Sequence, residues 1–199
     1  MNVACLDFEG VLVPEIWVSL AERTGIEELK VTTRDIPDYD ELMGLRLRIM
    51  RERGLRYADI QAAAGALDPL PGAAEFLNWL RANYQVAIIS DTFHELAAPL
   101  VAKLGYPMIL CHQLKVDSAG HIVGYTLRQT DPKRHSVLAF KSLQYKVVAT
   151  GDSFNDISML RTADAGALFQ PSEKVTAAHP DLAVARTYEE LKQMFAAHL

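Results

Sequence analysis

Val3-Ala4-Cys5-Leu6-Asp7-Phe8-Glu9-Gly10 opens with an unbroken apolar run and ends in two carboxylates. A run that is continuous rather than alternating belongs to a strand buried on both faces, as happens when helices cover both sides of a parallel sheet. The same pattern recurs at Val86 to Ser90, Met108 to Cys111, Val147 to Thr150, Ala165 to Phe169 and Leu182 to Ala185. Between several of these runs lie stripes of helical period. Phe93, Leu96, Ala97, Leu100, Val101 and Leu104 fall on one face, with Asp91 or Thr92 to cap the helix and Gly105 to stop it. Ala73, Phe76, Leu77 and Leu80 repeat the pattern after Pro71-Gly72. Alternation of strand and helix predicts an α/β fold whose core is a parallel sheet with helices on its faces.

Two regions break the alternation. Residues 14–68 carry helical patterns but no good strand, so they are expected to form a helical cap inserted into a core made of residues 1–13 and 69–199. Lys115 to Asp117 and His121 to Leu127, joined through Ser118-Ala119-Gly120, read as a small β-hairpin.

The chain has 199 residues, half of them hydrophobic and 23% charged, which is ordinary globular usage. Its net charge of −5 offers no electrostatic footprint for nucleic acid or an anionic membrane. No apolar run approaches the length of a membrane span of about 20 residues, and the N-terminus lacks the pattern of a signal peptide. Cys5 and Cys111 belong to no metal-spaced cluster and read as reduced, buried thiols. The expectation is a cytoplasmic protein with a small-molecule partner, neither nucleic acid nor membrane, and with a homodimer left open. His94-Glu95 lacks the second histidine of a zinc-protease motif, and no dinucleotide or P-loop glycine pattern occurs.

Asp7 and Glu9 stand where the first strand ends, at the edge where open α/β sheets bind ligands. A second acidic cluster, Gly151-Asp152-Ser153-Phe154-Asn155-Asp156, follows the strand Val147 to Thr150 at the same edge. Carboxylates converging this way repel one another unless a cation joins them, and hard oxygen donors suit Mg2+. Ser90, after a third strand, has a hydroxyl to offer a phosphoryl oxygen, and Lys133 is the candidate for offsetting charge on a transferring phosphoryl group.

In order along the chain, strand-Asp-x-Glu-Gly, helical insertion, strand-Ser, Lys and strand-Gly-Asp-x-x-Asn-Asp resemble the haloacid dehalogenase-like phosphatase superfamily over roughly residues 3 to 170. The resemblance implies a Rossmann-like core and chemistry through an aspartyl-phosphate. By position, Asp7 would be nucleophile and metal ligand, while Glu9 would be the general acid/base and give its carbonyl to the metal. Ser90, Asp91, Lys133 and Asn155 would surround the phosphate. Asp152 would bind Mg2+ directly and Asp156 through water. Glu9 stands where most of these phosphatases have aspartate.

Within the superfamily, Gly151 to Leu160 is similar to the metal loop of the phosphoserine phosphatase family. That likeness implies Glu15 on the substrate ammonium group and Arg46, seven residues after Tyr39, on its carboxylate. Periodicity singles out Arg46 independently. On a helix from Asp38 to Arg53 it lies within the apolar stripe of Tyr39, Leu42, Met43, Ile49 and Met50. A structural ion pair or a snorkelling stem is the other reading of Arg46, and a first-turn carboxylate that of Glu15. Ser90-Asp91-Thr92-Phe93, the stretch Thr32 to Asp40 and Asp131 to Arg134 resemble a bifunctional bacterial branch that also passes phosphate from phosphoserine to homoserine. Alternatives are a phosphatase of a sugar or thio-sugar phosphate and, in another class, a phosphorylated receiver-like switch, which would need neither the insertion nor the late acidic loop.

Overall fold

The N-terminal apolar run forms β1 (Asn2–Leu6), and the chain alternates strand and helix from residue 73 onward in a computed structural model that describes residues 1–33, 35–36 and 38–198. After α4 (Ala73–Asn83) come β2 (Gln85–Phe93), α5 (His94–Lys103), β3 (Ile109–Val116) and β4 (Ile122–Thr126). They are followed by α6 (Pro132–Ser142), β5 (Lys146–Gly151), α7 (Ile157–Thr162), β6 (Ala165–Phe169), α8 (Glu173–Ala178), β7 (Ala183–Ala185) and α9 (Tyr188–Ala196). The seven strands form one sheet in the order β4-β3-β2-β1-β5-β6-β7, and every pairing except β3 with β4 is parallel.

Both faces of the central strands are apolar because each face has its own helices to meet. Ala4 and Leu6 of β1 join the cluster that holds Phe76 of α4, Leu96 of α5 and Phe195 of α9. Val3 and Cys5, one step out of phase, join a second cluster with Val137 of α6, Met159 of α7 and Val175 of α8. Period-2 geometry sends successive side chains to opposite layers, which is why these strands read as continuous hydrophobic runs.

Between β1 and α4 the chain forms α1 (Ile16–Thr24), a 3-10 turn (Glu27–Lys30), α2 (Tyr39–Glu52) and α3 (Tyr57–Ala66), with no strand among the described residues of Ile16–Ala66. Helix α2 begins where Asp38 accepts the Glu41 N–H at 2.8 Å, a side-chain N-cap. Ile60 and Ala63 of α3 belong to the same apolar cluster as Leu96 of α5, so the inserted helices share the core of the sheet's layer. They also reach the hairpin: the Tyr125 hydroxyl donates to Asp40 at 2.5 Å and the Tyr57 N–H to the Gly120 carbonyl at 2.9 Å. Of the stretch Thr32 to Asp40, Arg34 and Pro37 lie outside the described residues.

Two expectations change. Met108 to Cys111 and Lys115 to Asp117, read as separate strands, are largely one strand, β3, whose first half pairs with β2 and second half with β4. Neither Asp91 nor Thr92 caps α5: β2 runs on to Phe93 through an irregularity after Ile89, Phe93 takes the N-cap position, and the Asp91 carboxylate is used elsewhere. Gly105 does end α5, with φ of 74°. No helix among the described residues is long and apolar enough to cross a membrane.

Candidate active site

Asp7 is the first residue beyond β1, and its N–H donates to the Thr150 carbonyl of β5 at 3.0 Å. Adjacent parallel strands therefore deliver Asp7 and Asp152 to the same edge of the sheet. Two glycines let the loops close. Gly10 has φ of +80°, and a Cβ there would lie 2.6 Å from Asp152 Cγ; at Gly151 a Cβ would lie 2.2 Å from Asp156 Cγ. The loop after β5 turns back on itself because Asp156 Oδ2 accepts the N–H groups of Asp152 and Ser153 at 3.0 and 3.1 Å.

Lys133, at the start of α6, is buried, and its Nζ lies 2.6 Å from Asp156 Oδ1 and 3.0 Å from Asp7 Oδ2. Burial alone would lower its pKa, but Asp156, Asp7 and Asp91 raise it above the ordinary lysine value. Asp7, Asp152 and Asp156 bring ligand atoms within 4.8 Å of one another, all buried. Burial first, then the nearness of Asp156, holds the Asp7 carboxyl well above the usual carboxylate range despite Lys133. A hard divalent cation fits the oxygen donors of this cluster and would favour the ionised carboxylate. Asp156 already spends one oxygen on Lys133 and the other on backbone N–H groups, a bonding state that suits support through water rather than direct ligation.

The Glu9 side chain stays out of the acidic trio. Its extra methylene carries Oε2 to the first N–H of α1, at Ile16, 2.9 Å away. Burial, then Glu15, pushes its carboxyl up to about 7, with the Ile16 N–H, Thr92 and Arg46 acting the other way. Ser90 is buried and its Oγ accepts the Thr92 N–H at 3.2 Å; among the described residues its hydroxyl proton has no acceptor.

Arg46 is buried on the inward face of α2, with its guanidinium carbon 4.7 Å above the Trp17 ring and Nη2 donating to the Val31 carbonyl at 3.0 Å. Its Nε has no hydrogen-bond partner among the described residues. Burial lowers its pKa, and Glu9, Tyr39 and Glu15 push it back up. Glu15 stands at the N-cap of α1, one residue before the first turn, and its side chain makes no capping bond. Asp7, Glu9, Glu15, Arg46, Ser90, Asp91, Asp152 and Asn155 all line one pocket between the sheet edge and the inserted helices.

Asp91 differs from its neighbours. A carboxylate has only acceptors and no proton for a phosphoryl oxygen. Asp91 Oδ2 accepts from Asn155 Nδ2 at 2.7 Å, Oδ1 faces His112 Nε2 at 3.4 Å, and its carbonyl accepts the Tyr39 hydroxyl at 2.6 Å. Burial would raise its pKa, but Lys133, His112 and Asn155 together bring it down to about 2. The sequence did not point to His112, which follows the apolar run Met108 to Cys111 and belongs to no motif; its only signal was a polar side chain directly after a strand-like run. Trp17 was missed as well, being an apolar residue of α1 that lies under Arg46.

The fold and the site define the class: an α/β enzyme with a buried lysine-bridged carboxylate centre at the C-terminal edge of a parallel sheet. Comparison narrows this. Residues 15–161 match the model of the haloacid dehalogenase-like hydrolase family. The chain is 57% identical over 195 residues to phosphoserine phosphatase ThrH of Pseudomonas aeruginosa, covering 98% of this chain and 95% of that one. It is 56% identical over 195 residues to a phosphoserine phosphatase of Pseudomonas syringae, covering 98% and 82%. A crystal structure of phosphoserine phosphatase in apo form superposes with a TM-score of 0.79 at 21% identity, over 96% of this chain and 98% of that one, and shares the fold. The chain belongs to the haloacid dehalogenase-like hydrolases and, within them, to the phosphoserine phosphatase family.

Proposed function

We propose that the protein is a Mg2+-dependent phosphoserine phosphatase that works through an aspartyl-phosphate on Asp7, and that homoserine competes with water for the phosphoryl group. The observation that carries this reading is the pairing of two ends in one pocket. A buried nucleophilic carboxylate beside Ser90, with Lys133 behind it, suits a phosphoryl group at one end, and a buried arginine whose Nε has no partner among the described residues suits a carboxylate at the other. The names of the Pseudomonas relatives support the phosphoserine phosphatase part of this reading.

In the first step an Asp7 oxygen attacks phosphorus, the bond to the serine oxygen breaks, and Glu9 gives that oxygen a proton. Lys133 and the Ser90 hydroxyl hold the phosphoryl oxygens, while Arg46 and Glu15 hold the amino-acid carboxylate and ammonium. In the second step Glu9 takes the proton of an incoming hydroxyl, whose oxygen bonds to phosphorus as the acyl-phosphate bond breaks and the Asp7 carboxylate returns. Asp7, the Glu9 carbonyl and Asp152 would hold Mg2+, with Asp156 behind them; the ion supplies charge neutralisation at the phosphoryl oxygens. Homoserine presents the same ammonium and carboxylate as serine with one more methylene, so Arg46 and Glu15 suit it equally. The reduced cysteines and the small polar ligand fit a cytoplasmic enzyme.

Phosphorus NMR of the enzyme with phosphoserine, Mg2+ and saturating homoserine tests this. Phosphohomoserine should accumulate and inorganic phosphate should fall below the serine released. Equimolar serine and phosphate would leave a plain phosphatase, and turnover of sugar phosphates alone would overturn the amino-acid reading.

A further inference from the structure

His112 sits on β3 with its ring 5.9 Å from that of Tyr39 and 6.2 Å from that of Phe93, and it is only 3% exposed. Its tautomer follows from its partners. Nδ1 accepts the backbone N–H of Arg128 at 3.1 Å, so the ring proton is on Nε2, which faces Asp91 Oδ1 at 3.4 Å. The other Asp91 oxygen takes the Asn155 amide at 2.7 Å, and that amide oxygen in turn accepts the Ser153 hydroxyl at 2.5 Å. Tyr39 of α2 closes the set from the inserted helices through the Asp91 carbonyl.

Pinned from both sides, the Asp91 carboxylate stands 3.8 Å from Lys133 Nζ, just outside the 2.6 and 3.0 Å at which that ammonium meets Asp156 and Asp7. A carboxylate released from one of its two holders would be drawn to the buried ammonium, because two unit charges attract more strongly as they approach within a low-dielectric interior. It would then compete with Asp7 for the cation that holds the phosphoryl group. We propose that His112 and Asp91 act as a positioning pair, His112 fixing the Asp91 carboxylate so that Asp91 orients Asn155 and leaves Lys133 to Asp7 and the phosphoryl group. His112 lies off the lining of the active-site pocket, and the Asp91 carboxylate, having only acceptors, has no proton to give a phosphoryl oxygen. The inference rests on the phosphoryl-transfer reading of the site and extends it to a residue on a strand outside the four motifs.

The test compares His112→Phe, His112→Gln, Asp91→Asn and the double variant His112→Phe/Asp91→Asn, on phosphoserine and on p-nitrophenyl phosphate, with melting temperatures for all. The pair serves the phosphoryl end common to both substrates. Loss of His112 should therefore lower kcat on both by about 10- to 100-fold, as removal of partners one shell out from a reacting centre typically does, with KM for phosphoserine little changed. His112→Gln, which keeps an acceptor for Arg128 and a donor for Asp91, should recover most of the loss. The double variant should be no slower than the slower single one, since both substitutions break one unit. Unchanged kcat in a folded His112→Phe, or losses that multiply in the double variant, would overturn the proposal. If His112→Phe does not fold, unchanged kcat in Asp91→Asn overturns it and the Gln rescue still reads it. Failure of the unsubstituted enzyme to hydrolyse either ester would instead overturn the phosphatase reading.

Discussion

Arg46 carries a full charge into an apolar helix face, and it is 6% exposed with a cation–π contact to Trp17 and a nitrogen lacking any partner among the described residues. A buried charge left this way is costly unless something completes its bonding in the working complex. Arg46→Ala is accordingly expected to raise KM for phosphoserine strongly, by a penalty of about 2–5 kcal/mol in kcat/KM, while p-nitrophenyl phosphate, which has no carboxylate, loses little. Equal losses on both substrates would mean that Arg46 serves packing against Trp17. This residue was legible in the sequence because a charge breaks an otherwise regular stripe. Asp7 and Asp152 were legible because motif and strand end coincide, and Lys133, at the start of α6, because its place in the order of motifs singles it out. The Glu9 side chain and Asp91 were only half legible: spacing put them at the pocket, but their partners, the Ile16 N–H and His112, lie on elements whose approach no local pattern encodes.

At the scale of elements, α2 bears both Tyr39 and Arg46, and its first turn depends on the Asp38 carboxylate at the N-cap. Asp38→Ala is expected to destabilise the protein by about 0.5–2 kcal/mol in urea unfolding, with Asp38→Ser restoring most of it because serine caps as well. If the alanine variant unfolds at the same denaturant concentration as the unsubstituted protein, that cap contributes nothing. The boundaries of α2 were readable to within a residue, since cap and stripe agree. β3 was not readable as one strand. Its first half is apolar and half-buried beside β2, whereas from His112 to Lys115 it alternates between buried and exposed as it passes from β2 to β4. A change of hydrophobic period within one strand reads as two elements when neighbours are unknown.

For the molecule as a whole, the parallel sheet follows from doubly covered runs, and its edge gathers what the sequence scatters over residues 7 to 156, whereas the order of the strands had no signal in the sequence. Three buried carboxylates gathered around Lys133 lead us to expect a folded state that responds to a cation. Chelation with EDTA should stop turnover, readdition of Mg2+ should restore it, and Mg2+ should raise the melting temperature. At a hundredfold excess over its dissociation constant the linkage is about 2.7 kcal/mol. No Mg2+-dependent melting shift would remove the cation from that cluster. The covalent step bears most directly on how the whole arrangement works. The enzyme is mixed with phosphoserine carrying radioactive phosphorus and quenched in acid within the first turnover. Label should appear on the protein, map to the peptide containing Asp7, leave on treatment with neutral hydroxylamine as an acyl phosphate does, and be absent from Asp7→Asn. Turnover with no labelled protein at any quench time, or label retained in Asp7→Asn, would contradict an aspartyl-phosphate at the end of β1.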